Sequence, residues 1–194
     1  EIDNPTNAGN LWNITVDSYA AAAVAGEWMA KELDAGVVLM IKTSRQLKDK
    51  VRNMARGDSA KAQLLIRNYG MERFLERVSL SEHRDNFILK GGMLVSALVG
   101  LENRATMDID TSIRNMPLDT IAAKAMVEEI IAVPVDDNIR FEINDFGTIM
   151  DDAEYSGVRI SLNAFLDATR IPLKIDISTG DAITPAAVNY QYKL

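Results

Sequence analysis

The chain has no cysteine and one histidine, His83. Without cysteine there can be no disulfides, no Cys-based zinc site and no thiol nucleophile, and a cytoplasmic location is the simplest reading. A single imidazole also excludes mechanisms that need two, such as the His-x-x-x-His zinc proteases. Long apolar runs are missing too: nothing reaches the roughly 18 residues that would span a bilayer. The small-residue run Ala20 to Ala25 is followed by Glu27, Lys31 and Glu32 and has no basic region before it. It reads as neither signal peptide nor membrane helix. Any catalysis must therefore rest on carboxylates, hydroxyls, Lys or Arg.

What is present is an ordinary globular composition of 194 residues, 25% of them charged, with a net charge of −7. That length suits one compact core plus an appendage. A net negative chain does not suit a general nucleic-acid coat, which depends on Lys and Arg to neutralise phosphates. The charge is uneven, however. Residues 1–39 carry one Lys against six acids, residues 40–90 twelve Lys and Arg against six acids, and residues 91–194 eight against sixteen. A basic middle segment is flanked by two acidic ones.

The first sixteen residues, with Pro5, Gly9 and four Asn, have no period and read as an irregular arm. Asp17 to Asp34 is Ala-rich and reads as a helix stopped by Gly36. Met40-Ile41-Lys42 looks like a start of translation, which would make residues 1–39 an N-terminal extension and 40–194 the core. Two helices are expected over Arg45 to Arg56 and Ser59 to Val78, the second capped by Asp58 or Ser59. Within it Lys61, Arg67, Arg73 and Arg77 read as a solvated face, with contact to an anionic partner as the alternative.

From Asn86 strands and helices alternate. Strands are expected at Phe87 to Lys90, Met107 to Ile113, Arg140 to Ile149, Val158 to Phe165 and Ile171 to Ser178. Helices are expected at Gly92 to Gly100 and at Asp119 to Ala132, and a hairpin loop at Asp167 to Arg170. The implied architecture is α+β, a mixed sheet with flanking helices.

Three features carry chemistry. In Met107-Asp108-Ile109-Asp110-Thr111 a strand would put both aspartates on one face and the other three residues on the opposite one. Paired carboxylates repel unless a cation lies between them, and magnesium takes oxygen ligands. Asp-x-Asp alone also fits a solvated edge strand, and an EF-hand is excluded because the further acids, glycine and closing Glu are lacking. Gly91-Gly92, between a short strand and a short helix, could cradle phosphate oxygens on backbone N–H groups, or could serve turn geometry only. Lys174, Asp176 and Ser178 alternate with aliphatics on a third strand, so Asp176 could join the first pair if the strands are neighbours.

These parts in this order resemble the DNA polymerase β-like nucleotidyltransferase superfamily, and more closely its AbiEii toxin family. Phe87-Ile88-Leu89-Lys90-Gly91-Gly92-Met93-Leu94 followed by Arg104-Ala105-Thr106-Met107-Asp108-Ile109-Asp110 is similar to that family's first signature. Lys174-Ile175-Asp176-Ile177 with Gly180-Asp181 is similar to its second. The resemblance spans roughly Lys42 to Leu194 and implies a magnesium-dependent transfer of a nucleotide from a nucleoside triphosphate to RNA, with tRNA the acceptor for some members. It implies a toxin of a toxin–antitoxin or abortive-infection system, with a protein antitoxin as a partner. Asp108, Asp110 and Asp176 would be catalytic and would hold two magnesium ions. Gly91, Gly92, Lys90, Arg104 and Lys174 would face the triphosphate. Family members continue into a helical C-terminal domain, and the expectation is that this chain lacks it. The competing expectation is a catalytically incomplete module of the same fold that acts by binding a triphosphate or an antitoxin.

Overall fold

The computed structural model describes residues 14–16, 41–99, 106–114, 119–149, 157–179 and 188–190. The helix expected over Asp17 to Asp34, the residue Arg104 and the pair Gly180-Asp181 lie outside the described residues. Among the described residues ten elements follow β1 (Ile14–Val16): α1 (Ser44–Ala55), α2 (Ser59–Leu80), β2 (Phe87–Lys90), α3 (Gly91–Val99), β3 (Ile109–Ile113), α4 (Thr120–Ile131), β4 (Ile139–Ile149), β5 (Gly157–Leu166), β6 (Thr169–Thr179) and β7 (Val188–Tyr190). They form one mixed seven-stranded sheet, ordered β4-β5-β6-β3-β2-β1-β7, with flanking helices. The fold is α+β. Residues 14–16, expected to be irregular, instead supply a strand that pairs antiparallel with β2 and parallel with β7. Among the described residues no helix is long and apolar enough to cross a membrane.

Local signals explain the helix boundaries. Thr43 caps α1 in a reciprocal box with Gln46. Asp58 accepts from the N–H groups of Ala60 and Lys61 at the start of α2, and Asp119 accepts from Ala122 at the start of α4. The β5–β6 hairpin turns on Asp167-Ala168 alone, tighter than the expected loop, because Leu166 already pairs with Thr169. Asp167 takes φ +50°, and its carboxylate accepts a 2.7 Å hydrogen bond from the Ser44 N–H, tying the hairpin tip to the start of α1.

Strict alternation sets the core. Val158, Ile160, Leu162, Ala164 and Leu166 on β5 and Ile171, Leu173, Ile175 and Ile177 on β6 are buried, while the residues between them are exposed or half-buried. α2 covers this apolar face. A Cβ at Gly70 would come within 3.0 Å of Ile171 Cγ2, so that glycine permits the close approach. Phe74, fully buried, packs at a tilt against Phe87 at 6.3 Å and edge-on against Phe141 at 6.2 Å between ring centroids. α1 joins the same core through Leu47, Val51 and Ala55, and α4 through Ala123, Met126, Val127 and Ile130.

The second half of α2 corrects the reading of its basic residues. Arg73 and Arg77 are buried rather than solvated. Arg77 makes a two-pronged pair with the buried Asp137 at 2.8 and 2.9 Å, donates to the carbonyl of Ile139 at 3.1 Å, and lies 4.8 Å from the centroid of the Phe141 ring. Arg73 pairs with Glu76 at 2.7 Å. These cations balance buried carboxylates, as buried charges must, and leave little of α2 to meet an anionic partner. The exposed basic residues of the segment are instead Arg45, Lys48 and Arg52 on α1 and Arg56 at its C-cap.

Candidate active site

The face of the sheet opposite α2 carries the polar residues. Three ladders meet in register there. β5 and β6 pair Arg159 with Asp176, β6 and β3 run parallel and pair Asp176 with Asp110, and β3 and β2 pair Asp110 with Lys90. Four adjacent strands thus carry one lateral row of cation, carboxylate, carboxylate and cation. Neighbouring strands lie about 4.8 Å apart. At such a separation two carboxylates repel by on the order of 3 kcal/mol at the effective dielectric of a protein surface. The flanking charges offset this. Arg159 grips Asp176 with both prongs of its guanidinium, Nε to Oδ1 at 2.7 Å and Nη2 to Oδ2 at 2.5 Å. At the other end Lys90 Nζ donates to Ser178 Oγ at 2.6 Å.

Asp108 enters differently from expectation. The strand begins at Ile109, not Met107, so Asp108 sits in a bend just before the ladder, where Thr106 Oγ1 donates to its carbonyl at 3.1 Å. Met107, expected to share the buried face of Ile109, is 55% exposed whereas Ile109 is fully buried. Asp108 is nevertheless near enough to raise the pKa of Asp110. Partial burial is the first cause of that raised pKa, and the charges of Asp176 and Asp108 add to it, opposed by a hydrogen bond from the Gly92 N–H and by Lys90.

The two glycines acquire a definite role from this geometry. Gly91 has φ +67°, and a Cβ built on it would collide with the Asp110 carboxylate. A Cβ on Gly92 would lie 2.6 Å from Thr106 Oγ1. Glycine at 91 therefore lets Asp110 lie against the turn and receive the Gly92 N–H, while glycine at 92 makes room for Thr106. Lys174, on the same face two residues before Asp176, pairs with Ser161 and is exposed. It stands beside the row rather than in it.

Sequence reasoning missed Arg159. Alternation on β5 marks it as polar-facing, but only the register against β6 brings it to Asp176. It also missed Ser112, whose Oγ lies 3.0 Å from the Oγ of Ser178. A depression of about 480 Å³ between α4 and the edge strand β4, lined by residues including Lys124, Glu142, Asp145 and Phe146, holds none of the expected site residues.

The donor set of the row is all oxygen, the chemistry that suits magnesium. As the side chains stand, however, no group of three or more His, Asp or Glu among the described residues is gathered to hold a metal ion. Both oxygens of Asp176 are turned to Arg159.

The model of a protein family described as nucleotidyl transferase AbiEii toxin, type IV toxin–antitoxin system, matches residues 73–194. The chain belongs to that family. The match includes every residue of the row and both glycines, and it begins within α2. Comparison with curated proteins and with solved structures gives no match. As a member of the AbiEii family, the chain belongs among nucleotidyl transferase toxins of type IV toxin–antitoxin systems.

Proposed function

We propose that the chain is a magnesium-dependent nucleotidyltransferase that moves a nucleotide from a nucleoside triphosphate to an RNA acceptor, tRNA being the first to test. The register that sets Asp110 beside Asp176 on parallel strands, with Asp108 just before them, carries this reading. Asp108, Asp110 and Asp176 would hold the metal. The chemistry that two such ions supply is stabilisation of the attacking and leaving oxygens in an in-line displacement. In that reaction an acceptor hydroxyl oxygen bonds to the α-phosphorus, the bond to the β-phosphate oxygen breaks, and pyrophosphate leaves. Asp176 takes the hydroxyl proton. Lys90 and Lys174, with Arg104 outside the described residues, neutralise phosphate charge.

Gly91 serves the site by giving Asp110 room, and the Gly92 N–H at the start of α3 holds that carboxylate. An antitoxin is the expected protein partner, in keeping with the family.

The test is to incubate the protein with each α-labelled nucleoside triphosphate, magnesium and total RNA. Label should pass to RNA, should need magnesium, and should fall at least 100-fold in Asp110→Ala, as loss of a group central to transition-state stabilisation implies. Transfer undiminished in Asp110→Ala would refute the assignment. Triphosphate binding without transfer would favour the competing reading of a binding module.

A further inference from the structure

We infer that Arg159 is a built-in counter-cation that holds Asp176 closed against metal and must release it before the site can load. The inference rests on the proposed metal site and goes beyond it. Its basis is the two-pronged geometry, with Nε on one carboxylate oxygen and Nη2 on the other, at 2.7 and 2.5 Å. A carboxylate so engaged has both oxygens turned to one partner. A cation that needs one of them must compete with the guanidinium.

The pairing is directional. β5 and β6 are adjacent antiparallel strands, so Arg159 sits directly opposite Asp176 and reaches it without leaving the sheet face. Asp110 sits opposite Asp176 on the other side. Asp176 therefore lies between a cation on β5 and a carboxylate on β3, and leans to the cation. Moving toward Asp110 would bring two like charges together, and only a cation between them removes that penalty. The Asp176 side chain thus has two arrangements, one paired with Arg159 and one turned toward the other two aspartates, and a metal ion favours the second. Arg159 is a positioning residue on this reading, and its side chain, 45% exposed, has room to swing aside.

Manganese, read by the electron paramagnetic resonance signal of the free ion, gives an affinity that does not depend on turnover. In Arg159→Gln the affinity should tighten by roughly two- to tenfold, the scale of a partly exposed ion pair. Arg159→Lys, which keeps the charge but loses the two-pronged grip, should fall between. Arg170→Gln makes the same change in net charge six residues along β6 from Asp176, about 20 Å away, and should leave the affinity unchanged. In an Asp176→Asn background the gain from Arg159→Gln should vanish. Binding by the parent that is unchanged or weaker in Arg159→Gln would overturn the inference and leave the metal site standing. So would an equal gain in Arg170→Gln or a gain that survives in Asp176→Asn. If neither parent nor variant binds manganese, the inference and the proposed metal site both fall.

Discussion

Gly91→Ala is the perturbation most closely tied to the geometry of the row. Two costs arise from the structure. At φ +67° an alanine occupies the left-handed region, worth about 1–2 kcal/mol. Its Cβ would also meet three atoms of Asp110, with the Asp110 Cβ at 2.8 Å, and a buried overlap of this kind adds about 1–3 kcal/mol. The expected total is about 2–5 kcal/mol, and a chain of this size should lose about 2–4 °C of Tm per kcal/mol. Urea denaturation followed by circular dichroism measures it. The same substitution in an Asp110→Gly background removes the colliding atoms, so its cost should drop to the left-handed component alone. If Gly91→Ala is neutral, or costs as much without the Asp110 side chain as with it, then Gly91 is not there to seat Asp110.

Arg77→Met should destabilise the fold by about 3–5 kcal/mol in the same urea assay, because it leaves the Asp137 carboxylate buried with only the Ile139 N–H, at 3.0 Å, for compensation; a loss under 1 kcal/mol would refute the role of Arg77 as the buried counter-charge. Glu72 is buried beside Asn68, and burial pushes its carboxyl up from 4.5 to about 8. Between those two values the folded state keeps a proton that the unfolded state has lost, so stability is fully present below about 4.5 and falls as pH rises toward 8. Glu72→Gln cannot ionise and should flatten that slope, gaining on the parent by up to about 4 kcal/mol between pH 5 and pH 8; parallel stability curves for the two proteins would count against a protonated Glu72.

Much of the site was legible in local pattern. The alternation in Leu173 to Ser178 puts Asp176 on a polar face, and the residues around Gly91 and Asp110 carry the family's signature. What local pattern does not contain is register across distant strands. That Asp110 and Asp176 are neighbours depends on a parallel pairing between segments 65 residues or more apart, and Arg159 joins them only because the two-residue turn at Asp167 sets the β5–β6 offset. Composition misled in one place for a related reason. Arg73 and Arg77 look like a solvated stripe because the carboxylate that neutralises Arg77 lies 60 positions away, at Asp137. Period-two spacing puts Asp108 on the strand with Asp110, yet the chain bends at Met107-Asp108, where Thr106 donates to the Asp108 carbonyl, and the ladder begins only at Ile109.

The decisive measurement is anomalous diffraction from crystals of this chain soaked with manganese and a non-hydrolysable triphosphate. The predicted result is a manganese peak within coordination distance, about 2.0–2.2 Å, of carboxylate oxygens from Asp110 and Asp176, with Asp108 contributing and Arg159 turned away. A peak elsewhere, or a bound triphosphate with Arg159 still gripping Asp176 and no metal between the aspartates, would contradict it.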